Sequence, residues 1–97
     1  MTPDRHILNV TFHCERSALR DVAYFLKHRL LPGWRSRFSE VHLLALPEMQ
    51  GFAVQISDED DTRLTEFEPA TDPDVLKIMS VYPEMVTFFP TLLSVIE

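Results

Sequence analysis

The chain has 97 residues, of which 45% are hydrophobic and 25% charged, and its formal net charge is −6. This composition is typical of one soluble globular domain, so we treat residues 1–97 as a single domain. The excess of acidic residues argues against nucleic-acid binding, which needs a basic face to displace counterions from phosphates. A single cysteine, Cys14, excludes an intramolecular disulfide framework and a multi-cysteine zinc site.

Neither a targeting segment nor a membrane segment is indicated. Residues 1–6 lack the apolar core of a signal peptide. No apolar run reaches the roughly 18–20 residues that a membrane span needs. We therefore expect a cytoplasmic protein without membrane contact.

Hydrophobic spacing predicts the first two elements. In residues 6–13 apolar and polar side chains alternate, and this period of two predicts a half-buried strand. After residue 17 a period of three to four predicts an amphipathic helix. Its apolar stripe consists of Leu19, Val22, Ala23, Leu26 and Leu30. Ser17 is expected to cap this helix, and Pro-Gly at residues 32–33 is expected to end it.

Two further strands are predicted at residues 38–46 and 50–57. The link at residues 47–49 is short, which favours an antiparallel hairpin. Large aliphatic side chains occur on both sides of the first of these strands, so the sequence leaves its parity open. The face away from the helices receives either Val41, Leu43 and Ala45 or His42, Leu44 and Leu46.

A second helical region is predicted from the acidic residues 58–61, because carboxylates favour a helix N-terminus. Apolar residues continue at helical spacing, but Pro69 and Pro73 interrupt them. We predict one helical arm in two pieces that ends before Pro83. A strand over residues 62–68 is the alternative.

The last predicted element is a strand at residues 86–96, rich in β-branched and aromatic residues. Pro90 cannot donate to a ladder, so the strand should lie at an edge or bulge there. The order β-α-β-β-α-β predicts an α+β fold of the ferredoxin-like type, an antiparallel sheet with both helices on one face. Because aliphatic side chains lie on the other face with either parity, we expect a second copy of the chain to cover it.

Four stretches of loose hydrophobic pattern, residues 6–13, 30–32, 52–55 and 89–97, carry a resemblance that covers nearly the whole chain. In these stretches the chain resembles a group of small, uncharacterised bacterial proteins of the dimeric α/β-barrel superfamily. The resemblance implies two subunits whose sheets pack together into a barrel. It implies no known activity, since the family is of unknown function. The arm interrupted at Pro69 and Pro73 departs from the family's usual pattern.

The candidate binding residues are polar side chains expected on the face away from the helices. They are Asn9, Thr11, His13, Gln55 and, if the parity allows, His42. Between two sheets of a dimer, these imidazole and amide groups could orient a small polar or aromatic ligand. The alternative is that they are solvated or hydrogen-bonded to one another.

Other chemistry receives little support from the spacing of residues. Cys14 follows His13 directly and points to the opposite strand face, so the two cannot form a Cys–His pair. A metal would need His13 and His42 with Glu15 or Glu40, but no metal-binding spacing occurs, and we expect neither metal nor cofactor.

The leading hypothesis is a homodimer that is not an enzyme or that binds a small ligand weakly. The alternative is a cofactor-independent enzyme of the kind the superfamily contains, such as a small monooxygenase. It would hold an aromatic substrate in the barrel cavity, with His13 as base or orienting group.

One segment, residues 27–37, is basic and contains an aromatic residue; it includes Lys27, Arg29, Trp34, Arg35 and Arg37. An anionic ligand could bind there, or the aromatic residue could stack on a base. Given the net charge of −6, we interpret the cations as complementing the helix end, with Trp34 closing the core. Four further side chains are expected in the core: Met79, Met85, Phe88 and Phe89.

Overall fold

The computed structural model describes residues 5–96, which form four strands and two helical arms. The strands are β1 (Arg5–Cys14), β2 (Glu40–Leu46), β3 (Gly51–Ser57) and β4 (Val86–Val95). The first arm comprises α1 (Leu19–Phe25), a π-helical turn (Leu26–Leu30) and α2 (Leu31–Arg35), and the second comprises α3 (Asp61–Glu66) and α4 (Pro73–Val81). Short 3-10 turns lie at Arg16–Ala18, Pro47–Met49 and Pro69–Thr71. Residues 1–4, which belong to the segment where we expect no signal peptide, and residue 97 lie outside the described range. Between residues 5 and 96, no helix is both long and apolar enough to cross a membrane.

The strands form one antiparallel sheet in the order β2-β3-β1-β4. The predicted element order and the hairpin of β2 and β3 are confirmed. At the hairpin Gln50 adopts the left-handed conformation, with φ of 49°. The result is a mixed α+β fold with a four-stranded antiparallel sheet, which is compatible with the ferredoxin-like arrangement.

Alternate residues of the strands form one hydrophobic core with the two arms. The strands contribute Leu8, Val10, Phe12, Cys14, Val41, Val54, Ile56 and Val86. The arms contribute Val22, Leu26, Leu30, Leu31, Trp34, Leu64, Val75 and Ile78. Full burial of one such aliphatic or aromatic side chain is worth about 1.5–3 kcal/mol, so this single cluster holds both arms on the same face of the sheet.

The first arm is longer than predicted, because it continues through residues 32–33 to Arg35. The predicted stop is therefore wrong. In the π-helical turn Leu26–Leu30 the backbone hydrogen bonding widens, and the N–H of Leu31 donates to the carbonyl of Leu26. A wider turn accommodates the ring of Pro32, which has no N–H to donate, at the start of α2.

The helix caps differ from the prediction in the first arm. Ser17 lies inside the 3-10 turn Arg16–Ala18, and its side chain makes no capping hydrogen bond, so that prediction is wrong. In the second arm Asp60, from the predicted acidic start, accepts a hydrogen bond from the N–H of Thr62 at 3.1 Å. Asp72 caps α4 by accepting two backbone N–H bonds of its first turn.

The second arm consists of two pieces, as predicted. The alternative of a strand over residues 62–68 is wrong, since α3 occupies most of that range. Pro73 does not interrupt α4 but begins it, because the first helical position has no backbone N–H bond to lose.

Polar and aromatic contacts join the end of the first arm, with the residues that follow it, to the second arm. Arg37 donates to the buried carboxylate of Asp72 at 3.1 Å, and its guanidinium lies 5.0 Å from the ring centre of Phe67. Trp34 is fully buried, as predicted, and meets Phe67 at right angles with ring centres 5.2 Å apart. Its indole N–H has no hydrogen-bond partner within the described part of the chain.

The strand β4 is an edge strand, as Pro90 predicts, because within residues 5–96 it pairs only with β1. Met79, Met85 and Phe88 pack against the core as expected. Phe89 does not: it points to the opposite face and is 49% exposed. Neighbouring strand residues point to opposite faces, so Phe88 and Phe89 cannot both enter the core.

Candidate functional site

The sheet face away from the helical arms, which we call the open face, carries all five predicted binding residues. Directly paired residues of antiparallel strands share a face, so the register arranges the open face in rows. The polar row consists of His42, Gln55, Asn9 and Thr91. The next rows along the strands consist of Leu44, Ala53, Thr11 and Phe89, and of Leu46, Gly51, His13 and Thr87. The register thereby decides the parity of β2 and places His42, Leu44 and Leu46 on the open face.

Three of the predicted side chains form a hydrogen-bonded chain. The Gln55 amide donates to the Asn9 side-chain oxygen at 3.2 Å, and the Asn9 amide donates to the Thr11 hydroxyl at 3.0 Å. Asn9 and Gln55 are half-buried, whereas Thr11, between Ala53 and Phe89 in its row, is only 7% exposed. These two bonds order the three side chains. Within residues 5–96, one N–H of each amide and the Gln55 side-chain oxygen have no hydrogen-bond partner.

The two histidines are less closely integrated. His42 pairs with Gln55 across β2 and β3, but its ring is exposed and lies 3.9 Å from the equally exposed Glu40 carboxylate. His13 lies one row beyond Thr11 and is exposed. Among residues 5–96 it makes no side-chain hydrogen bond to the polar row. The structure thus joins Asn9, Thr11 and Gln55, places His42 beside them and leaves His13 apart.

Large exposed apolar side chains lie at the two outer strands of the open face, one on β2 and three on β4. Leu44 is 42% exposed, Phe89 49%, Leu93 40% and Val95 36%. Of these, the residues of β4 were missed as open-face residues by sequence analysis. Alternation in residues 86–95 was the available signal, but the adjacent aromatic pair at positions 88 and 89 obscured it.

Three clefts formed by residues 5–96 lie away from the open face. Surface clefts of about 460 to 520 Å³ occur in the described part of the molecule, but they lie along the helical arms. None of these clefts is lined by Asn9, Thr11, His13, His42 or Gln55. These three clefts therefore do not supply a ligand site at the polar row.

Nucleophilic and metal chemistry is not supported by the geometry. Cys14 lies on the core side of β1, opposite to His13, and burial raises the pKa of its thiol from 9.0 to about 11. Such a thiol is protonated near neutral pH and is a poor nucleophile. Within residues 5–96 no three His, Cys, Asp or Glu side chains are grouped closely enough to hold a metal ion.

Comparison with known proteins found no matching family model, no matching curated protein and no matching solved structure. The family resemblance of the sequence is therefore supported only by the α+β fold with its four-stranded antiparallel sheet.

Proposed function

We propose that this chain is a homodimer of ferredoxin-like protomers that pack through their open faces, as in a dimeric α/β barrel. The polar row of each copy would line a small-ligand site between the two sheets. The observation that carries the proposal is the set of exposed apolar side chains on the two outer strands of the open face, beside an ordered polar row. Exposed apolar patches of this kind are typical of protein interfaces.

The size of the open face fits a second copy of the chain. Four strands of 7 to 10 residues cover roughly 450–600 Å² as a flat surface, at about 4.8 Å between strands and about 3.3 Å per residue. Side-chain relief increases this area toward the ~800 Å² per partner that a stable interface buries. A two-fold dimer needs only one self-complementary patch, which the same face supplies to both copies.

The ligand class follows from the polar row. Once the sheets pack, the free amide N–H groups of Asn9 and Gln55 and the Gln55 oxygen would be removed from water, and each needs a new partner. A small polar or aromatic molecule with both donors and acceptors would supply them.

The alternative, a cofactor-independent monooxygenase acting on an aromatic substrate, needs a positioned base. His13 stands outside the hydrogen-bonded chain, so we rank binding above catalysis. We place the homodimer in the cytoplasm and expect no nucleic-acid or membrane partner.

The test compares two charge insertions at equally exposed apolar positions. Phe89→Glu lies on the open face, whereas Leu76→Glu, at a residue 53% exposed on α4, serves as the matched control. In sedimentation at about 100 µM protein, a concentration at which a micromolar complex is formed, we expect the wild type and Leu76→Glu at twice the 11.3 kDa chain mass. Phe89→Glu should sediment as a monomer. A monomeric wild type, or a dimer disrupted only by Leu76→Glu, contradicts the proposal.

A further inference from the structure

We propose that the first helical arm and the 3-10 turn before it carry a docking surface for a short acidic segment of a partner protein. The surface, which we call the basic stripe, consists of Arg16, Arg20, Tyr24, Lys27 and His28. Residues 16–37 contain six of the nine Lys and Arg residues of the chain and only one of its fifteen Asp and Glu residues. This concentration of positive charge stands out in a protein of net charge −6.

Helix electrostatics does not account for the stripe. Because the arm continues to Arg35, Lys27 and His28 lie in its middle rather than in its last turn. Arg16 and Arg20 lie near its N-terminal end, where the helix dipole disfavours cations. The interpretation of these cations as helix-end residues therefore holds only for the end near Arg35.

The cations of the stripe are available to a partner. Arg16, Arg20 and Lys27 are exposed, and none forms an ion pair within the described residues. Arg37 and Arg63, by contrast, are paired with carboxylates. Among residues 5–96, the stripe thus presents positive charge that no ion pair compensates.

An aromatic anchor adjoins the charges. Tyr24 is 68% exposed and contacts His28, one helical turn away, with ring centres 4.3 Å apart and ring planes inclined by 38°. Beside this pair a cleft of about 460 Å³ is lined by aromatic, cationic and acidic side chains: Asp21, Tyr24, Phe25, His28, Arg29 and Tyr82. Tyrosine and arginine are the residues on which interface energy concentrates. The cleft could hold an apolar side chain of the acidic segment.

The distribution of charge selects the class of partner. From residue 16 to residue 27 the cations extend over about 16 Å of helix at ~1.5 Å per residue, so they do not converge on a single phosphate. A long nucleic acid would run beyond the stripe onto a chain that is acidic overall. An extended peptide of five or six residues spans roughly 16–20 Å and matches the stripe.

Titration of the isotope-labelled full chain with a synthetic peptide, Glu-Asp-Glu-Phe-Glu-Asp-Glu, tests the proposal. We expect saturable NMR shift changes at the stripe that weaken with salt. Arg20→Glu should reduce the affinity about five- to tenfold or more, as for one charge contact at an interface. Lys77→Glu on α4 changes the net charge equally and should change the affinity less than about twofold. Tyr24→Ala should weaken binding more than Tyr24→Phe, and circular dichroism confirms that each variant is folded.

Three results overturn the proposal. The first is the absence of saturable shifts. The second is an equal loss of affinity in Arg20→Glu and Lys77→Glu, because net charge alone would then explain the binding. The third is tighter binding of an oligothymidine strand than of the peptide, which assigns the stripe to nucleic acid.

Discussion

Replacing Gly51 with alanine should destabilise the protein far more than the addition of one methyl group suggests. Gly51 begins β3 and pairs with His13 of β1. A Cβ atom built there lies 2.2 Å from the carbonyl oxygen of Phe12 and 3.3 Å from the Cα of His13. These neighbours are backbone atoms, which cannot rotate away. The two strands would have to separate by more than about 1 Å to restore an ordinary contact near 3.5 Å.

The magnitude follows from the bonds at that end of the sheet. The N–H of Cys14 donates to the carbonyl of Gln50 at 2.9 Å, next to the point of collision. Each buried backbone group left without a partner costs about 1–3 kcal/mol. Overpacking strain adds about 1–3 kcal/mol. We therefore expect Gly51→Ala to lower the free energy of unfolding by roughly 3–5 kcal/mol, a large share of a typical ~5–15 kcal/mol.

Gly33, the other glycine of the chain, provides the control. Its added Cβ would lie 3.1 Å from a carboxylate oxygen of Asp74, a side chain that can shift. Alanine is also favoured over glycine in a helix by about 1 kcal/mol. Gly33→Ala should thus leave the stability unchanged or raise it by up to ~1 kcal/mol. Urea unfolding followed by circular dichroism, at one protein concentration, measures both variants. A wild-type denaturation midpoint for Gly51→Ala would refute the reasoning.

Three further predictions concern the cap, the thiol and the dimer. Asp72→Ala should lower the free energy of unfolding by about 2–4 kcal/mol, because α4 loses its cap and Arg37 its buried partner. Asp74→Asn is the control. Burial raises the pKa of the Asp74 carboxyl, which means that its charge is disfavoured in the folded protein, so this variant should have an unchanged or slightly higher melting temperature at pH 7. An equal loss of stability in Asp72→Ala and Asp74→Asn would contradict the assignment of Asp72 as the cap. The pKa of the Cys14 thiol rises from 9.0 to about 11 on folding. Between these pH values the unfolded chain loses the thiol proton more readily than the folded chain. The free energy of unfolding is therefore unaffected by this thiol below pH 9 and falls as the pH rises toward 11. Unfolding of Cys14→Ala should show a smaller decline over that pH range than wild type, and an identical decline would contradict the pKa shift. About half of the ~200 Å² surface of Phe89 is exposed in one chain. A dimer would bury this area in both copies, and at ~25 cal/mol per Å² the burial is worth up to about 5 kcal/mol. Phe89→Ala should therefore weaken the dimer by up to about that amount. Sedimentation over a range of concentrations measures this, and an unchanged dissociation constant would place Phe89 outside the interface.

Local patterns were sufficient to predict the elements, because each depends on the spacing of its own side chains. The apolar side chains spaced from Leu19 to Leu30 pack on the core, and so do the apolar side chains that alternate in residues 6–13. The parity of β2 was not predictable, since Leu43 and Leu44 are equally apolar. The parity is determined by the pairing of His42 with Gln55, which puts His42 and Leu44 on the open face.

Other features depend on tertiary context and could not be inferred locally. Pro32 stays within the helical arm because a π-helical turn precedes it and because burial of Leu31 and Trp34 stabilises the continuation. The candidate site was predicted in composition but not in geometry. All five residues share the open face, yet only the register and two hydrogen bonds separate His13 from the ordered group.

The outer edge of β4 has a consequence for the solubility of the chain. Beyond Pro90 the strand continues with exposed Leu92, Leu93 and Val95 along a free sheet edge, a combination that templates aggregation between chains. Pro90 removes a backbone donor from the middle of this strand, so a foreign strand meets an interrupted ladder. Packing of two open faces would cover Leu93 and Val95 as well. Dimer formation of this kind would therefore also protect the chain against aggregation, and a variant that no longer dimerises would aggregate more readily.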